Sequence, residues 1–478
     1  MLWCALYLPD LALQVFARGH ADATPLALLT PRPRVRVVAA NPAAMACGVA
    51  PGISRASALA LAPGLTFAER DPDLEQAALE EIATWAGRFA GTLSLDPPGA
   101  VLLEVRGSLR LFGGLPRLAE ALLDGLAELG YTGRLGAAAT PLAARWQARQ
   151  GLSPGVGSLT DDQATLDALP LTVLDDASGP GADVLELLAG LGLQRLGALR
   201  HLSRHGLARR HAQALTDCLD RAYGRTPDPR PSFVPPERYS ARLPLPAPTD
   251  QVDMLLFGLR RLLAGLSGWL SARQAGVERF QLVLEYAGTG VETLPVILGK
   301  LANDPSRCQL LAREHLTRLL LTAPVEALRL ETEAPRPLAP SATDLFDAPS
   351  GPRSDPALLL ATLRARLGDE AVFTCAPHAD HRPEQAWRRG TPRREHAPAD
   401  VHTPAGPRPL WLLPRPRAVT APAPERLLAG PERIESGWWD GAGVRRDYYV
   451  ARRSDDSLVW LFQDLEPPYG WYLHGYFA

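Results

Sequence analysis

Lysine is almost missing from this chain. Lys300 is the only one, so 49 of the 50 basic residues are arginine. Acidic residues number 52, and a net charge of −2 gives no overall field that would draw in a polyanion. Arginine suits bidentate phosphate contacts, but its excess here runs with heavy Ala, Pro and Leu usage and reads as base composition. Cysteine is scarce too: Cys4, Cys47, Cys218, Cys308 and Cys375 stand alone with no C-x-x-C pair. That excludes a disulfide framework and suits a reducing cytosol. No apolar run reaches 18 residues, so no membrane-spanning helix is expected. The opening MLWCALYLPD has no basic stretch ahead of its short apolar run and reads as a first strand, not a secretory signal. "CAPHADH" offers Cys375, His378 and His381 without a fourth ligand, so no metal site and no cofactor are expected.

What is present is a 478-residue chain, 46% apolar, long enough for several cores. Residues 2–8 read as a strand. "PAAMACGVAPGISRASALALAPG" (42–64) holds short Ala-rich helices broken by Gly48, Pro51-Gly52 and Pro63-Gly64. The spacing of Leu74, Ala78, Ile82, Trp85 and Phe89 predicts one amphipathic helix. "GAVLLEVRG" and "TGRLGAAAT" read as strands around a helix, giving an α/β or α+β sheet domain over 1–150. Residues 160–225 read as short helices. In "LLAGLGLQRLGALRHL" one helix ends at Gly190 or Gly192 and the next starts near Leu196, followed by Arg195, Arg200, Arg204 and further basic residues. Such a hairpin can turn backbone N–H groups toward a phosphate; the bland alternative is a solvated basic face on a small bundle.

Strand, helix, strand, strand, helix, strand then follow at 237–245, 250–273, 277–286, 291–298, 305–320 and 325–332, a βαββαβ order that predicts four strands with two helices on one face. Residues 334–356 hold six prolines in 23 positions, and 377–424 hold eleven in 48, so both should be extended connectors, with one helix at 356–368 between them. Beyond residue 405 the chain is aromatic and alternates at period two, with turns at "DGAG" and "SDDS". A module of two or three strands is expected. It is too small to bury Trp438, Trp439, Tyr448, Trp460 and Trp471 together, so some should form an exposed partner site.

The series of units resembles the palm, fingers, thumb and little finger of Y-family translesion DNA polymerases, over about residues 1–332. "MACGVAPGISRASALALAPGL" carries the likeness best, at Gly48, Val49, Gly52, Ala58, Pro63 and Leu65. The resemblance implies an α+β multidomain fold: a palm-like domain at 1–155 with a fingers insert at about 20–75, a thumb-like domain at 156–230 and a little-finger-like domain at 235–332. A linker at 333–356, a helix and tether at 357–404 and a C-terminal β-rich module at 405–478 follow.

The chemistry departs from that family. Phosphoryl transfer needs two Mg²⁺ ions about 3.5–4 Å apart, held by clustered carboxylates. Aligned on the family's motifs, Leu6 and Leu8 take the first acidic positions and Gly99 and Ala100 the second pair, while Pro42 and Met45 replace the tyrosine and arginine of the triphosphate clamp. No catalytic residue and no enzyme activity are therefore expected. Taken with the C-terminal extension, the chain resembles the catalytically silent, polymerase-like subunits of bacterial mutasomes. Their role implies a sliding clamp, an error-prone C-family polymerase and a RecA-like accessory protein as partners, modest sequence-independent DNA binding, no membrane, and a bacterial cytoplasmic location at the nucleoid during DNA damage.

Within the first linker, "ATDLF" (Ala342, Thr343, Asp344, Leu345, Phe346) resembles the bacterial clamp-binding peptide Q-x-D-L-F. Laying Leu345 and Phe346 into an apolar groove is worth on the order of 3–6 kcal/mol before ordering costs. Ala342 lacks the glutamine's polar anchor, so weak binding is expected. The rival "QVDMLLF" (251–257) continues at helical spacing through Leu262 and Leu263 and reads as core. Two other functions stay open: an active polymerase using displaced acids at Asp10, Asp96 and Glu104, and a DNA-binding damage sensor without clamp or polymerase partners.

Overall fold

A computed structural model describes residues 1–18, 24–30, 35–151, 162–175, 181–200, 213–288, 290–338, 355–390, 407–423 and 426–477. They form an α+β chain of two compact units, Met1–Arg366 and Leu367–Ala478.

The first unit opens on β1 (Trp3–Tyr7) and the helix Leu11–Ala17. A small sheet of β2 (Leu26–Leu29), β3 (Val37–Ala40) and β4 (Thr66–Glu69), ordered β3-β2-β4, carries the helices Pro42–Ala46 and Arg55–Leu61. The sequence reading had only the helices here: β2 reads LALL, and four apolar residues without alternation give periodicity nothing to act on. Gly48 and Gly52 sit at φ +87° and +91°, where a Cβ is strained. Val49, Ala58 and Leu65 fill the small core beside them, so the fingers-like motif has a packing reason.

The main sheet adds β5 (Thr92–Asp96), β6 (Ala100–Glu104) and β7 (Arg134–Ala138) to β1, ordered β5-β6-β1-β7 with every neighbour antiparallel. The expected amphipathic helix forms at Pro72–Ala86, started by the Asp71 side chain, which accepts from the N–H groups of Asp73 and Leu74 with Pro72 in the first turn. It packs with the helix Leu115–Glu128 against the sheet face carrying Cys4, Leu6, Leu8, Val101 and Leu103. The opposite face, with Trp3, Ala5 and Leu102, meets the helix Pro141–Gln150 and a helical segment containing Asp162–Asp167, Ala182–Gly190, Leu196–Leu199 and Gln213–Ala222.

The βαββαβ module is close to its expected bounds: β8 (Ser240–Thr249), helix Val252–Ala272, β9 (Ala275–Tyr286), β10 (Val291–Ala302), helix Pro305–Arg318 and β11 (Val325–Thr332), in sheet order β10-β9-β11-β8. Both helices share one core with Phe280, Leu282 and Leu284. Leu255, Leu256, Leu262 and Leu263 are buried there, as read for "QVDMLLF". The module is tied to the first sheet's helices through Trp85: a Cβ at Gly125 or Gly268 would come within 2.4 or 2.3 Å of its indole, so only glycine allows that approach. β12 (Arg336–Pro337) pairs with β9, and the helix Pro356–Leu367 returns to the same core through Ala361.

The second unit holds a hairpin, β13 (Thr374–Pro377) and β14 (Trp387–Gly390), and a sheet of β15 (Trp411–Val419), β16 (Leu427–Ser436), β17 (Val444–Arg452), β18 (Leu458–Asp464) and β19 (Gly470–Tyr476). Its order is β15-β19-β18-β17-β16. The turns at "DGAG" and "SDDS" are where the sequence put them, but five strands form instead of two or three. The added strands, β15 and β16, lie at the edges, where Pro414, Pro416 and Pro431 are tolerated because no ladder hydrogen bond is lost on the open side. Among the described residues, no helix is long and apolar enough to cross a membrane.

Candidate functional site

Side-chain parity along β1 decides what a catalytic cleft would contain. Leu6 and Leu8 are 0% and 2% exposed and face the helices of the first sheet. Across the ladder Asp96 pairs with Ala100 and Ala100 with Tyr7. The row at this strand end is therefore Asp96–Ala100–Tyr7, and the residue opposite Ala100 is Tyr7. Leu6 and Leu8, which the sequence reading put at the first acidic positions, face the opposite side of the sheet from Tyr7, because successive side chains along a strand alternate. Gly99 cannot carry a ligand either: a Cβ there would lie 2.8 Å from the Leu8 carbonyl oxygen, which belongs to the backbone beside it.

Asp96 is the one carboxylate in this row, and its charge is already matched. Oδ2 lies 3.0 Å from Arg145 Nε and Oδ1 3.1 Å from Arg230 Nη1, with the three side chains between 5% and 14% exposed. Arg230 reaches on to Asp228 at 3.0 Å. Glu104 lies four residues farther along β6, roughly 13 Å away, and accepts a hydrogen bond from the Leu2 N–H at 2.9 Å. Asp10 precedes the helix Leu11–Ala17 without a side-chain cap. A Mg²⁺ pair needs several oxygens converging within 4 Å; Tyr7, Ala100 and an arginine-bound Asp96 do not fit it. Arg145, Arg230 and Asp228 were missed from sequence, although a lone arginine between Leu142 and Trp146 on a buried helix face was a usable signal.

Pro42 is the first residue of its helix, behind the Asn41 cap, and Met45 is exposed; neither side chain offers a phosphate ligand. In the helical hairpin, Gly192 adopts φ +73°. The N–H groups of Leu191, Gly192 and Leu193 donate to Leu187, Ala189 and Leu188, closing the helix that ends at Gly190, and the Leu196 N–H donates to Leu169. Those four N–H groups are spent within the fold. Arg195 is exposed, and Arg200 pairs with Asp167 at 2.6 Å over the Tyr223 ring. Arg204 lies outside the described residues. On the outer face of the βαββαβ sheet, Arg242 pairs with Glu285, Arg329 with Glu331 and Arg279 with Glu333, so these charges cancel.

In the second unit, Tyr448 and Trp460 stack at 4.1 Å and are 1% and 2% exposed. The five-stranded sheet gives them a core, which removes both from the surface where the sequence reading had them. His474 is buried beside them, its Nδ1 2.9 Å from the Tyr448 hydroxyl. Burial holds its proton affinity down to about 4, with Glu384 opposing and Arg446 adding to the shift. Trp471 is half-buried against Tyr449. Trp438 and Trp439, edge-to-face at 5.4 Å, are 82% and 56% exposed. Their turn is clamped from the hairpin: Arg382 binds Asp440 at 2.6 Å and donates to the Ala442 carbonyl at 3.0 Å, with Asp380 on its other side. Ala342, Thr343, Asp344, Leu345 and Phe346 lie outside the described residues. Among the described residues no group of three or more His, Cys, Asp or Glu is placed to hold a metal ion.

Residues 15–149 match the impB/mucB/samB family. Protein ImuB from two strains of Caulobacter vibrioides is 29% identical over 469 residues, covering 90% of this chain and all of the relative. Among solved structures, DinB from Sulfolobus solfataricus covers 70% of this chain and 99% of its own at 18% identity and a TM-score of 0.40. The insertion ternary complex of Dbh DNA polymerase covers 71% and 100%, at 18% and 0.41. The chain is similar to Protein ImuB over 90% of its length, and residues 15–149 are similar to the impB/mucB/samB family.

Proposed function

We propose that this protein is a non-catalytic adaptor of mutagenic translesion DNA synthesis, which docks on the sliding clamp and gathers an error-prone C-family polymerase and a RecA-like accessory protein in the bacterial cytoplasm, at the nucleoid during DNA damage. The observation that carries the reading is the Asp96–Ala100–Tyr7 row: a polymerase-like strand end whose single carboxylate is bound by two arginines. Pro42 and Met45 leave a triphosphate without a clamp, so acids restored at positions 7 and 100 create no activity. The palm-, fingers-, thumb- and little-finger-like divisions at 1–155, 156–230 and 235–332 then serve as a frame.

Leu345 and Phe346 are the clamp anchors in this reading. Support comes from the flanks: β12 pairs with β9, and Asp355 is held by Lys300 and Arg307 at 2.6 and 2.7 Å, so both ends of the linker are fastened to the βαββαβ module. Trp438 and Trp439 are the anchor for the polymerase or the RecA-like partner, since large exposed aromatics on a clamped turn lose little entropy on binding. DNA binding in this reading is modest and sequence-independent, in keeping with a net charge of −2.

Primer extension by the full chain with Mg²⁺ or Mn²⁺ tests the first half, and incorporation above background overturns it. Co-purification tests the second. Leu345→Ala with Phe346→Ala loses the clamp and keeps the other partners, whereas Trp438→Ala with Trp439→Ala does the reverse; the opposite pattern would exchange the two assignments.

A further inference from the structure

We infer that the strand end at Asp96 has become a docking seat for the chain's own connector, the segment between the helix Gln213–Ala222 and β8, with guanidinium groups in the electrostatic place of cations. The helix end is fixed at one point and the connector after it at three. The Thr140 hydroxyl donates to the Ala222 carbonyl at 2.8 Å, and the Asp228 carboxylate accepts from the Leu142 N–H at 3.1 Å. Arg230 spans Asp228 and Asp96, and the Phe233 N–H donates to the Leu93 carbonyl at 2.7 Å. The last contact lies on β5, the edge of the sheet, so the connector covers an edge that would otherwise stay open.

The charges explain why this seat and a cation site exclude each other. Asp96 brings one negative charge into a place where the side chains are 14% exposed or less, and Arg145 and Arg230 compensate it from both oxygens. Asp228 balances the second guanidinium, so the cluster of two carboxylates and two arginines is already neutral, and a dication would have to displace a guanidinium to reach an oxygen. Arg145 holds the carboxylate from the helix side and Arg230 recruits the connector to it. This assignment does not depend on the adaptor reading, and it would stand even if no clamp or polymerase bound.

Hydrogen–deuterium exchange on the full chain tests it, read at the Phe233 amide and the rest of segment 226–236. Arg230→Met and Asp96→Asn should each speed exchange there by roughly tenfold, and the double variant should go no faster than the faster single one, because both remove one contact. Arg230→Lys, which keeps the charge without the fork, should fall between. Unchanged exchange in Arg230→Met and Arg230→Lys, or effects that multiply in the double variant, overturns the inference. A Mn²⁺ titration followed by electron paramagnetic resonance gives an independent reading: no stoichiometric ion should bind the unmodified chain, and one that is lost in Asp96→Asn would overturn the claim that the connector has replaced it. Primer extension reads neither quantity, so this test and that of the adaptor reading fail separately.

Discussion

The first sheet and the C-terminal sheet treat their candidate functional residues in opposite ways. At the end of the first, the row Asp96–Ala100–Tyr7 is closed, and its carboxylate is consumed by Arg145 and Arg230. At the rim of the second, Trp438 and Trp439 stand on a turn outside the ladder, exposed, while their aromatic neighbours Tyr448 and Trp460 are core. A buried charge has to be matched from inside the protein, so a strand end without its ligands turns into structure. An exposed apolar pair has no such internal solution, which is why the proposed partner site is placed there.

The comparison breaks most visibly if buried and exposed members respond alike. Arg145→Met leaves Asp96 with one partner fewer in a place closed to water, and a loss of about 3–5 kcal/mol is expected; Trp460→Ala should cost a similar amount through its cavity. Urea unfolding of the full chain, followed separately for the two units, reads both, and a change below about 1 kcal/mol in either would erase the distinction. Next in size is the pH response of the second unit. The unfolded chain protonates His474 near 6.5 and the folded one only near 4. Its contribution is therefore complete above about pH 6.5 and is lost as pH falls toward 4, by at most roughly 3 kcal/mol. His474→Asn should flatten that slope.

Smaller still is the stability effect of Trp438→Ala with Trp439→Ala, within about 0.5 kcal/mol of zero even where partner capture is abolished; a larger loss would make the pair structural. Least of all, thiol labelling of the native chain should stop at the exposed Cys47 and Cys375. Burial pushes the Cys4 and Cys308 thiols up to about 12, and Cys218 is buried as well. Modification of Cys4 without unfolding would mean that the first sheet opens.

How much of this could be read from residues depended on how local the signal was. The βαββαβ module was legible almost to its ends because alternation, turn residues and the Leu255-to-Leu270 helical spacing agree with one another. β2 and β15 were not: one has four apolar residues without a period, and the other carries Pro414 and Pro416 inside a strand that survives only at an edge. At the candidate site, the parity that puts Tyr7 and not Leu6 beside Ala100 belongs to the ladder and has no local signal in the sequence. The pairing of Asp96 with Arg230 joins residues 134 positions apart, which no window of sequence contains.

The fastening of Asp355 sets a length scale for assembly. Leu345 is seven residues from Leu338, whose N–H is bonded to the Gln274 carbonyl, and ten from Asp355. At no more than about 3.5 Å per residue, that side chain stays within roughly 25 Å of the module on one side and 35 Å on the other. A ring held by Leu345 and Phe346 would have to come alongside the βαββαβ sheet and could not wait at the far end of a long leash. Lys300, which grips Asp355 and is the only lysine in the chain, would then stand within reach of an amine-directed cross-linker bridging to that ring.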